Sequence, residues 1–383
     1  MADRRPMCAT WLALPLIAMA LGTVAGCGPG YRDTRSPSPK VHGAALDTRG
    51  FIWGIQGHPG KQAAYAASGA GLAHQLDDLN RLGASHYRVD VYPDSAGTVD
   101  PTFEGILDAS ATRGIEILPV LVAYPDWAAP ESSNYRRGYT IGYGFASRYR
   151  GRFTHVEAGN ELDGQVLKFT IDSTVTPAGR NYYEGSSVDQ YVDTLLTKTT
   201  GFLRGMAEGI HHAAPGTKVI INAGWRHYAF FEALHRDSVP FEVYGYHWYS
   251  EMGSFAVEVL GHLPDSDKEI WITEANRRNT EDSLDDPAAQ ADWIAGFARE
   301  LLAFTRVKAL FIYELYDQLA FGLRDEAYYG IVRCSDPGCS GPRALKPGFH
   351  AYSGVIQEAR QGHPDSVYAR HARRDGAVSP ALR

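Results

Sequence analysis

Two glutamates at the ends of predicted strands have the type and spacing of an acid and a nucleophile. Glu161 closes the run 157–161 (EAGNE), and Glu274 closes the run 271–274 (WITE). Carboxyl groups on separate strands can take the two roles of a hydrolysis, because one protonates the leaving oxygen while the other meets the developing positive centre. Cleavage of a glycosidic bond needs both roles, so the pair predicts glycosidase chemistry. A salt bridge on the rim of the fold is the alternative for either glutamate taken alone.

The strand pattern predicts how these side chains reach one site. Ile270, Ile272 and Glu274 are two residues apart, so we expect all three on the inward face of one strand. An acid at the mouth of an apolar row is costly for stability unless it has a function. Asn160 and Glu161 are adjacent, so both reach the site only where their strand has ended.

Polar and aromatic side chains suited to a sugar site stand at the ends of the other predicted strands. Rings can stack on the apolar faces of sugars, and imidazole, amide and guanidinium groups can bind sugar hydroxyls. Core packing is the alternative for each tryptophan. We predict substrate contacts from His58, Arg88, Trp127, Asn160, Tyr246, His247, Trp248 and Tyr313.

Short apolar runs alternate with longer amphipathic stretches through most of the chain. This alternation is typical of strand–helix units around a parallel sheet. Eight strands are the count of a (β/α)8 TIM barrel, which we predict as a single catalytic domain over residues 51–360. A doubly wound sheet is the alternative, but residues 54–58 (GIQGH) stand where its glycine-rich phosphate loop would be. The predicted strands begin near Phe51, Ser85, Ile115, Phe153, Lys218, Phe241, Glu269 and Lys308.

These motifs resemble those of clan A retaining glycoside hydrolases. In that group the acid/base follows an asparagine after strand four, and the nucleophile closes strand seven, as 157–161 and 271–274 do here. Residues 54–58, residues 313–317 (YELYD) and Lys346-Pro347 are most similar to bacterial enzymes of the β-xylosidase and α-iduronidase family and their exopolysaccharide-cleaving relatives. The similarity spans nearly the whole predicted barrel.

The resemblance implies a role for each central residue. Glu161 would act as acid and then as base, which requires a raised pKa. Glu274 would be the nucleophile, kept ionised by Arg88 and by a hydroxyl donor such as Tyr246. Asn160 would hydrogen-bond the sugar 2-hydroxyl, a contact that strengthens in the transition state.

Two neighbouring residues have open assignments. His247 either orients Glu274 or forms part of the barrel wall. Glu157 shares the phase of Glu161 deeper in the barrel, where we expect it to pair with Arg88. Glu157 is also the main alternative to Glu161 as the general acid.

The amino terminus has the pattern of an export signal. Arg4 and Arg5 precede an apolar run that is too short for a stable membrane span. The run ends in residues 24–27 (VAGC), which resemble the bacterial lipobox, so we predict a signal peptide over 1–26 and lipidation of Cys27. An ordinary secretory signal cleaved near Gly26 is the alternative. Both alternatives export the protein, and the first anchors it in the cell envelope.

The remaining cysteines form a pair once the signal is removed and Cys27 carries lipid. Cys334 and Cys339 enclose Ser-Asp-Pro-Gly, a turn-forming segment, and disulfides persist in exported proteins. We therefore predict a disulfide between them. A structural zinc site is the alternative, but it needs four ligands and no second cysteine pair exists.

Composition and low-complexity segments limit the partners. The formal net charge is −7, whereas binding of nucleic acid needs a basic stripe. No histidine or methionine cluster has metal-ligand spacing, so we expect neither a metal nor a cofactor, and we expect a monomer. Residues 27–50 are interpreted as a flexible tether, 162–187 as a loop over the barrel rim and 361–383 as a polar, disordered tail.

A carbohydrate-binding lipoprotein built on an inactive barrel is the alternative function. A binder has no need of a proton donor at a scissile oxygen. The presence of both glutamates together with Asn160 therefore favours the hydrolase.

The lipobox assignment predicts that Cys27→Ser yields an unlipidated protein in the soluble fraction. The serine hydroxyl does not replace the thiol that accepts the lipid. Membrane partition of the two proteins, followed by immunoblot, measures this. If the variant stays in the membrane fraction, the anchor assignment is wrong.

Overall fold

The fold is a barrel of parallel strands surrounded by helices. In this computed structural model the chain is described over residues 50–361, except 67–69, 172–179, 265–266, 280–283 and 322–325. The strands are β1 (Ile52–Gly57), β2 (His86–Val91), β3 (Glu116–Leu121), β4 (His155–Ala158), β5 (Phe169–Ile171), β6 (Arg180–Tyr182), β7 (Lys218–Gly224), β8 (Val243–Tyr249), β9 (Glu269–Asn276), β10 (Val307–Ile312), β11 (Val332–Cys334) and β12 (Arg343–Leu345).

Eight of these strands close on themselves in the order β1-β2-β3-β4-β7-β8-β9-β10. This confirms the predicted (β/α)8 barrel. One crossover departs from the pattern, because a five-residue π-helical turn, Ala256–Leu260, stands between β8 and β9. The helices are α1 (Leu72–Leu82), α2 (Thr102–Ala111), α3 (Glu131–Arg148), α4 (Asp193–Ala213), α5 (Ala229–Arg236), α6 (Pro287–Leu301) and α7 (Pro347–Arg360).

Large apolar side chains fill the amino-terminal half of the barrel interior. The Trp271 ring on β9 contacts Phe311 on β10 and His155 on β4, with ring centroids 6.2 and 4.2 Å apart. Gly54 on β1 makes room for this layer, since a Cβ there would lie 2.1 Å from the Phe311 ring. The filled lower barrel supports the polar layer above it. Its apolar members are Leu118, Ile220, Val243, Trp271, Ala309 and Phe311.

The predicted phase of β9 is wrong in its lower half. Trp271 faces the barrel interior, whereas Ile270 and Ile272 pack in the layer between the strands and the helices. The register then shifts, because Tyr246 pairs with Ile272 while its neighbour His247 pairs with Glu274. A β-bulge of this kind inserts one residue and re-aims the next side chain. The bulge turns Glu274 inward even though the preceding alternation would have turned it outward.

Helices α3 and α4 pack at unusually short range. A Cβ at Gly205 would lie 2.0 Å from the Tyr135 carbonyl oxygen, and one at Gly138 would lie 2.0 Å from the Phe202 carbonyl oxygen. Gly142 and Gly209 meet the opposite backbone in the same way. Only residues without a side chain allow the two backbones to approach this closely.

The predicted disulfide is formed. Cys334 and Cys339 are bonded, and their Cα atoms are 4.9 Å apart. Asp336 stabilises the enclosed turn by accepting backbone hydrogen bonds from Gly338, Ser340 and Gly341. Strands β11 and β12 flank this turn and form an antiparallel pair.

The segment after β4 contains regular structure that was predicted as loop. Strands β5 and β6 pair antiparallel within residues 162–187. The signal peptide, the lipidation site Cys27 and the predicted tether and tail over residues 1–49 and 362–383 lie outside the described residues. Within the described part of the chain, no helix has the length and hydropathy needed to cross a membrane.

The close packing of α3 and α4 predicts that Gly205→Ala lowers the free energy of unfolding by about 1–3 kcal/mol, because the added methyl group forces the backbones apart. Gly105→Ala is the matched control, since a Cβ on this α2 residue meets nothing within 4 Å. The control should raise the unfolding free energy by up to about 1 kcal/mol. Urea denaturation measures both, and equal effects of the two substitutions would contradict the close-packing account.

Candidate active site

A ring of polar side chains lies above the apolar layer, near the carboxyl ends of the strands. The strand register explains the ring, because Gln56 on β1 pairs with Arg88 on β2, and His247 on β8 pairs with Glu274 on β9. Side chains at paired inward positions meet in the barrel centre. The members of the ring are Gln56, Arg88, Glu157, Asn222, His247 and Glu274, and all are buried.

Arg88 is the hub of this ring. Its Nε donates to Glu157 Oε2 at 2.7 Å, and its Nη1 donates to Glu274 Oε1 at 2.6 Å and to Gln56 Oε1 at 2.7 Å. Its Nη2 donates to Asn160 Oδ1 at 2.9 Å. The planar guanidinium thus fixes groups from three other strands, β1, β4 and β9, at once.

Glu157 is the buried counterion of Arg88. Burial raises its pKa, but the charge of Arg88 and hydrogen bonds from Arg88 and His247 outweigh burial and hold the pKa at about 2. Asn222 Nδ2 donates to its other oxygen at 2.6 Å. The predicted pairing with Arg88 is confirmed, and an ionised carboxylate without solvent exposure is unsuited to protonate a substrate.

The backbone turn after β4 places Glu161 at the mouth. Gly159 has φ 79° and Glu161 has φ 50°, a region that a non-glycine residue rarely adopts. Asn222 holds the turn, since its Oδ1 accepts from the Glu161 N–H at 2.8 Å and its Nδ2 donates to the Gly159 carbonyl at 3.2 Å. Asn222 was not predicted from the sequence, although its amide interrupts the apolar strand 218–224 and was a usable signal.

The Glu161 carboxyl group has the environment of a general acid. It is one-quarter exposed, and His247 Nδ1 lies 2.9 Å from its Oε1. Burial raises its pKa most; His247 opposes this, while the charges of Glu274 and Asp163 raise the pKa further. The net direction is upward, which favours the protonated form.

Glu274 lies opposite, in position for a nucleophile. Tyr249 Oη donates to its Oε2 at 3.0 Å, so the hydroxyl donor is Tyr249 and the prediction of Tyr246 is wrong. His247 Nδ1 is 3.5 Å from the same oxygen. One carboxyl oxygen of Glu161, one of Glu274 and a ring nitrogen of His247 all lie within 4.8 Å of one another. The two carboxyl groups are therefore within reach of one bond.

Comparison with solved structures shows that this barrel is similar in fold to glycoside hydrolases. A family 39 glycoside hydrolase from Bacteroides cellulosilyticus superposes with a TM-score of 0.58 and 14% identity over 82% of this chain, which spans 65% of that protein. The virulence factor SghA of Agrobacterium tumefaciens superposes with a TM-score of 0.58 and 15% identity, and a family 1 β-glucosidase of Thermotoga maritima with a TM-score of 0.55 and 13% identity. Each of these two alignments covers 82% of this chain and 98% of the other protein.

The chain shares the barrel fold of these three proteins. No family model and no curated protein sequence matches it. Identities of 13–15% show the shared fold alone. The resemblance to the β-xylosidase and α-iduronidase family therefore stays a prediction.

Tyr246 and Trp248 point away from this barrel's interior. Tyr246 Oη donates to the Trp225 carbonyl oxygen at 2.8 Å. Trp248 is fully buried, with its ring 5.3 Å from Phe255 and 6.3 Å from Tyr246. The prediction that Tyr246 and Trp248 contact substrate is wrong, because inward His247 forces both of its neighbours outward.

The other predicted contact residues are distributed around the mouth. His58 Nδ1 is 2.8 Å from Asp90, whose charge overcomes burial and raises the pKa of His58. The Tyr313 ring meets His58 edge-on at 5.9 Å, which brings β1 and β10 together beside the carboxylates. Trp127 lies half-buried after β3 and packs on the hydrophobic core.

The Glu161–His247–Glu274 group has a spacing that suits a metal ion, but its chemistry favours an ion-pair network. Burial lowers the pKa of His247, yet the charge of Glu274 and hydrogen bonds to Glu157 and Glu161 raise it to about 10. A metal-binding imidazole must be neutral. Arg88 also already occupies Glu274 Oε1. The cluster is therefore neutralised by its own two cations.

Asp163 ties the Glu161 turn to the end of β7. Only 1% exposed, it accepts from the Gly224 N–H at 2.9 Å and lies 2.5 Å from His227 Nδ1. Asp163 was not predicted from the sequence. Its position two residues beyond Glu161 lets its charge act on that carboxyl group.

This coupling predicts that Asp163→Asn lowers the pKa of Glu161, because one of the negative charges that raise it is removed while the amide keeps the shape of the turn. Carbon-13 NMR titration of the glutamate carboxyl groups measures the shift. Asp108→Asn is the control, since Asp108 pairs with Arg152 on the outside of the barrel. An unchanged or higher Glu161 pKa in Asp163→Asn would show that the charges are not coupled.

Proposed function

We propose that the protein is a retaining glycoside hydrolase that cleaves O-glycosidic bonds of a polysaccharide or oligosaccharide. The observation that carries the proposal is the pair of carboxyl groups, Glu161 and Glu274, with oxygens within 4.8 Å at the barrel mouth. Retaining enzymes separate these groups by roughly 5–5.5 Å, whereas inverting enzymes leave roughly 6.5–9.5 Å for a water molecule. The short distance supports direct attack by a carboxylate.

In the first step Glu161 donates its proton to the glycosidic oxygen and Glu274 attacks the anomeric carbon. Arg88 and Tyr249 hold Glu274 by one hydrogen bond to each oxygen, which fixes its direction of attack. The bond to the leaving sugar breaks as the bond to Glu274 forms. The product is a glycosyl ester of Glu274 and a free alcohol.

In the second step Glu161 acts as the base. Formation of the ester removes the negative charge of Glu274, which is one of the charges that raise the pKa of Glu161. His247, whose charge and hydrogen bond lower that pKa, is still present, so Glu161 remains ionised. The carboxylate can then take a proton from water as the water oxygen bonds to the anomeric carbon. The bond between that carbon and Glu274 breaks, which restores the Glu274 carboxylate and releases the sugar with retained configuration.

We further propose that the enzyme works outside the cytoplasm, anchored by lipid at Cys27. The VAGC ending of the predicted signal peptide supports lipidation. The bonded pair Cys334 and Cys339 supports export, because such bonds persist in oxidising compartments.

The covalent step predicts labelling by a mechanism-based inhibitor. A panel of 2-deoxy-2-fluoro glycosides with good leaving groups should label the wild-type protein on Glu274, as located by peptide mass spectrometry. Glu274→Gln should not be labelled. A barrel that only binds sugars would bind the panel without any covalent adduct, and this result would reject the hydrolase.

The acid–base role predicts a different defect for Glu161→Ala. Turnover of substrates with poor leaving groups should fall by about 10²–10⁴-fold, and azide should restore turnover of activated substrates because azide needs no base. The product should be a glycosyl azide of retained configuration. Glu157→Gln is the comparison variant. If azide rescues Glu157→Gln and not Glu161→Ala, the acid has been assigned to the wrong glutamate.

A further inference from the structure

Three tyrosines form a row along the outside of the barrel. Tyr135, Tyr139 and Tyr143 are one helical turn apart on α3, and we call them the tyrosine ridge. Their ring centroids are 6.4 and 6.0 Å apart, and the rings of Tyr139 and Tyr143 are within 10° of parallel. Tyr143 is 42% exposed, and the other two are partly exposed. Rings in this arrangement contribute little to the core.

The rings of the ridge are held in place from the neighbouring helix. Tyr135 Oη donates to Glu208 of α4 at 2.5 Å, and Tyr139 Oη hydrogen-bonds His212 of the same helix. The His212 ring also meets Tyr143 edge-on at 5.2 Å. The glycines at the interface of α3 and α4 bring the two helices close enough for the tyrosines of α3 to reach these partners on α4. Their orientation is therefore set before any ligand arrives, which lowers the entropic cost of binding.

The size of the ridge argues for a narrow ligand. An aromatic side chain has about 150–250 Å² of surface, and one of the three rings is 42% exposed while the other two are less exposed, so the ridge offers on the order of 200 Å². A standard protein interface needs about 800 Å² per partner. The rings of Tyr139 and Tyr143, within 10° of parallel and 6.0 Å apart, instead suit the apolar faces of successive sugars in an extended chain. The Tyr135 ring is tilted by 32° from that of Tyr139, and the Arg204 guanidinium lies over it at 5.2 Å.

We propose that the tyrosine ridge is a second saccharide-binding site that holds a polysaccharide chain outside the catalytic mouth. This rests on the proposed function only in taking a polymeric sugar as the substrate. Helix α3 follows β3, so the ridge begins at the end of the barrel that carries Glu161 and runs away from it. A chain held on the ridge would be present at a high effective concentration near the mouth.

Affinity electrophoresis of the full chain tests the site without requiring catalysis. The Glu274→Gln background keeps the polysaccharide intact, and the gels contain xylan, hydroxyethyl cellulose or alginate. We expect retardation in at least one gel, and we expect Tyr139→Ala/Tyr143→Ala to weaken binding at least about tenfold, as loss of two stacking contacts implies. Tyr139→Phe/Tyr143→Phe keeps both ring faces and should retain binding. Tyr143→Ala alone leaves both interhelix hydrogen bonds intact and should weaken binding in a folded protein.

Three outcomes would overturn the proposal. The first is the absence of retardation in every gel. The second is equal retardation of the alanine variants and the parent. The third is an equal loss of polysaccharide binding in the double phenylalanine variant and the double alanine variant. Binding to phospholipid vesicles that Tyr143→Ala abolishes would assign the ridge to a membrane surface instead. Failure of fluoroglycoside labelling with retained ridge binding would reject the proposed hydrolase and keep the ridge.

Discussion

The site depends on one buried guanidinium. Arg88 holds Glu157 below it, Glu274 beside it and Asn160 at the end of β4, all through direct hydrogen bonds. Its removal would leave Glu157 without its counterion in the barrel interior, a loss that costs about 3–5 kcal/mol in buried pairs. The same cation fixes the position of the nucleophile. Stability and reactivity are therefore linked in this barrel, because Arg88 both neutralises the buried Glu157 and orients Glu274.

Charge coupling gives the two mouth glutamates different roles. Glu274 contacts Arg88 and Tyr249, whereas the Glu161 carboxyl group lies against His247 and is partly exposed. Burial and the charge of Glu274 raise the pKa of Glu161, which favours the protonated form of this carboxyl group. The assignment of acid and nucleophile follows from these surroundings, since both side chains are chemically identical.

Much of this arrangement is predictable from the sequence, and the failures have physical causes. Strand order and the Arg88–Glu157 pairing follow from alternation and charge. The bulge on β9 does not, because an inserted residue leaves no mark in an apolar run. The sequence also does not show which β8 side chains face the barrel interior, because aromatic residues occupy both faces of the strand around His247 and hydrophobicity cannot distinguish the two faces. Asn222 acts through the backbone of a distant turn, a contact that only the folded barrel creates.

The stereochemistry of the first product tests the central claim most directly. Proton NMR of a hydrolysis in progress, with the aryl glycoside that the protein cleaves fastest, distinguishes the two anomers before they equilibrate. Because one carboxyl oxygen of Glu161 lies within 4.8 Å of one of Glu274, we predict that the first anomer released has the configuration of the substrate. Release of the opposite anomer first, or no hydrolysis of any glycoside in a broad panel, would contradict the double-displacement account.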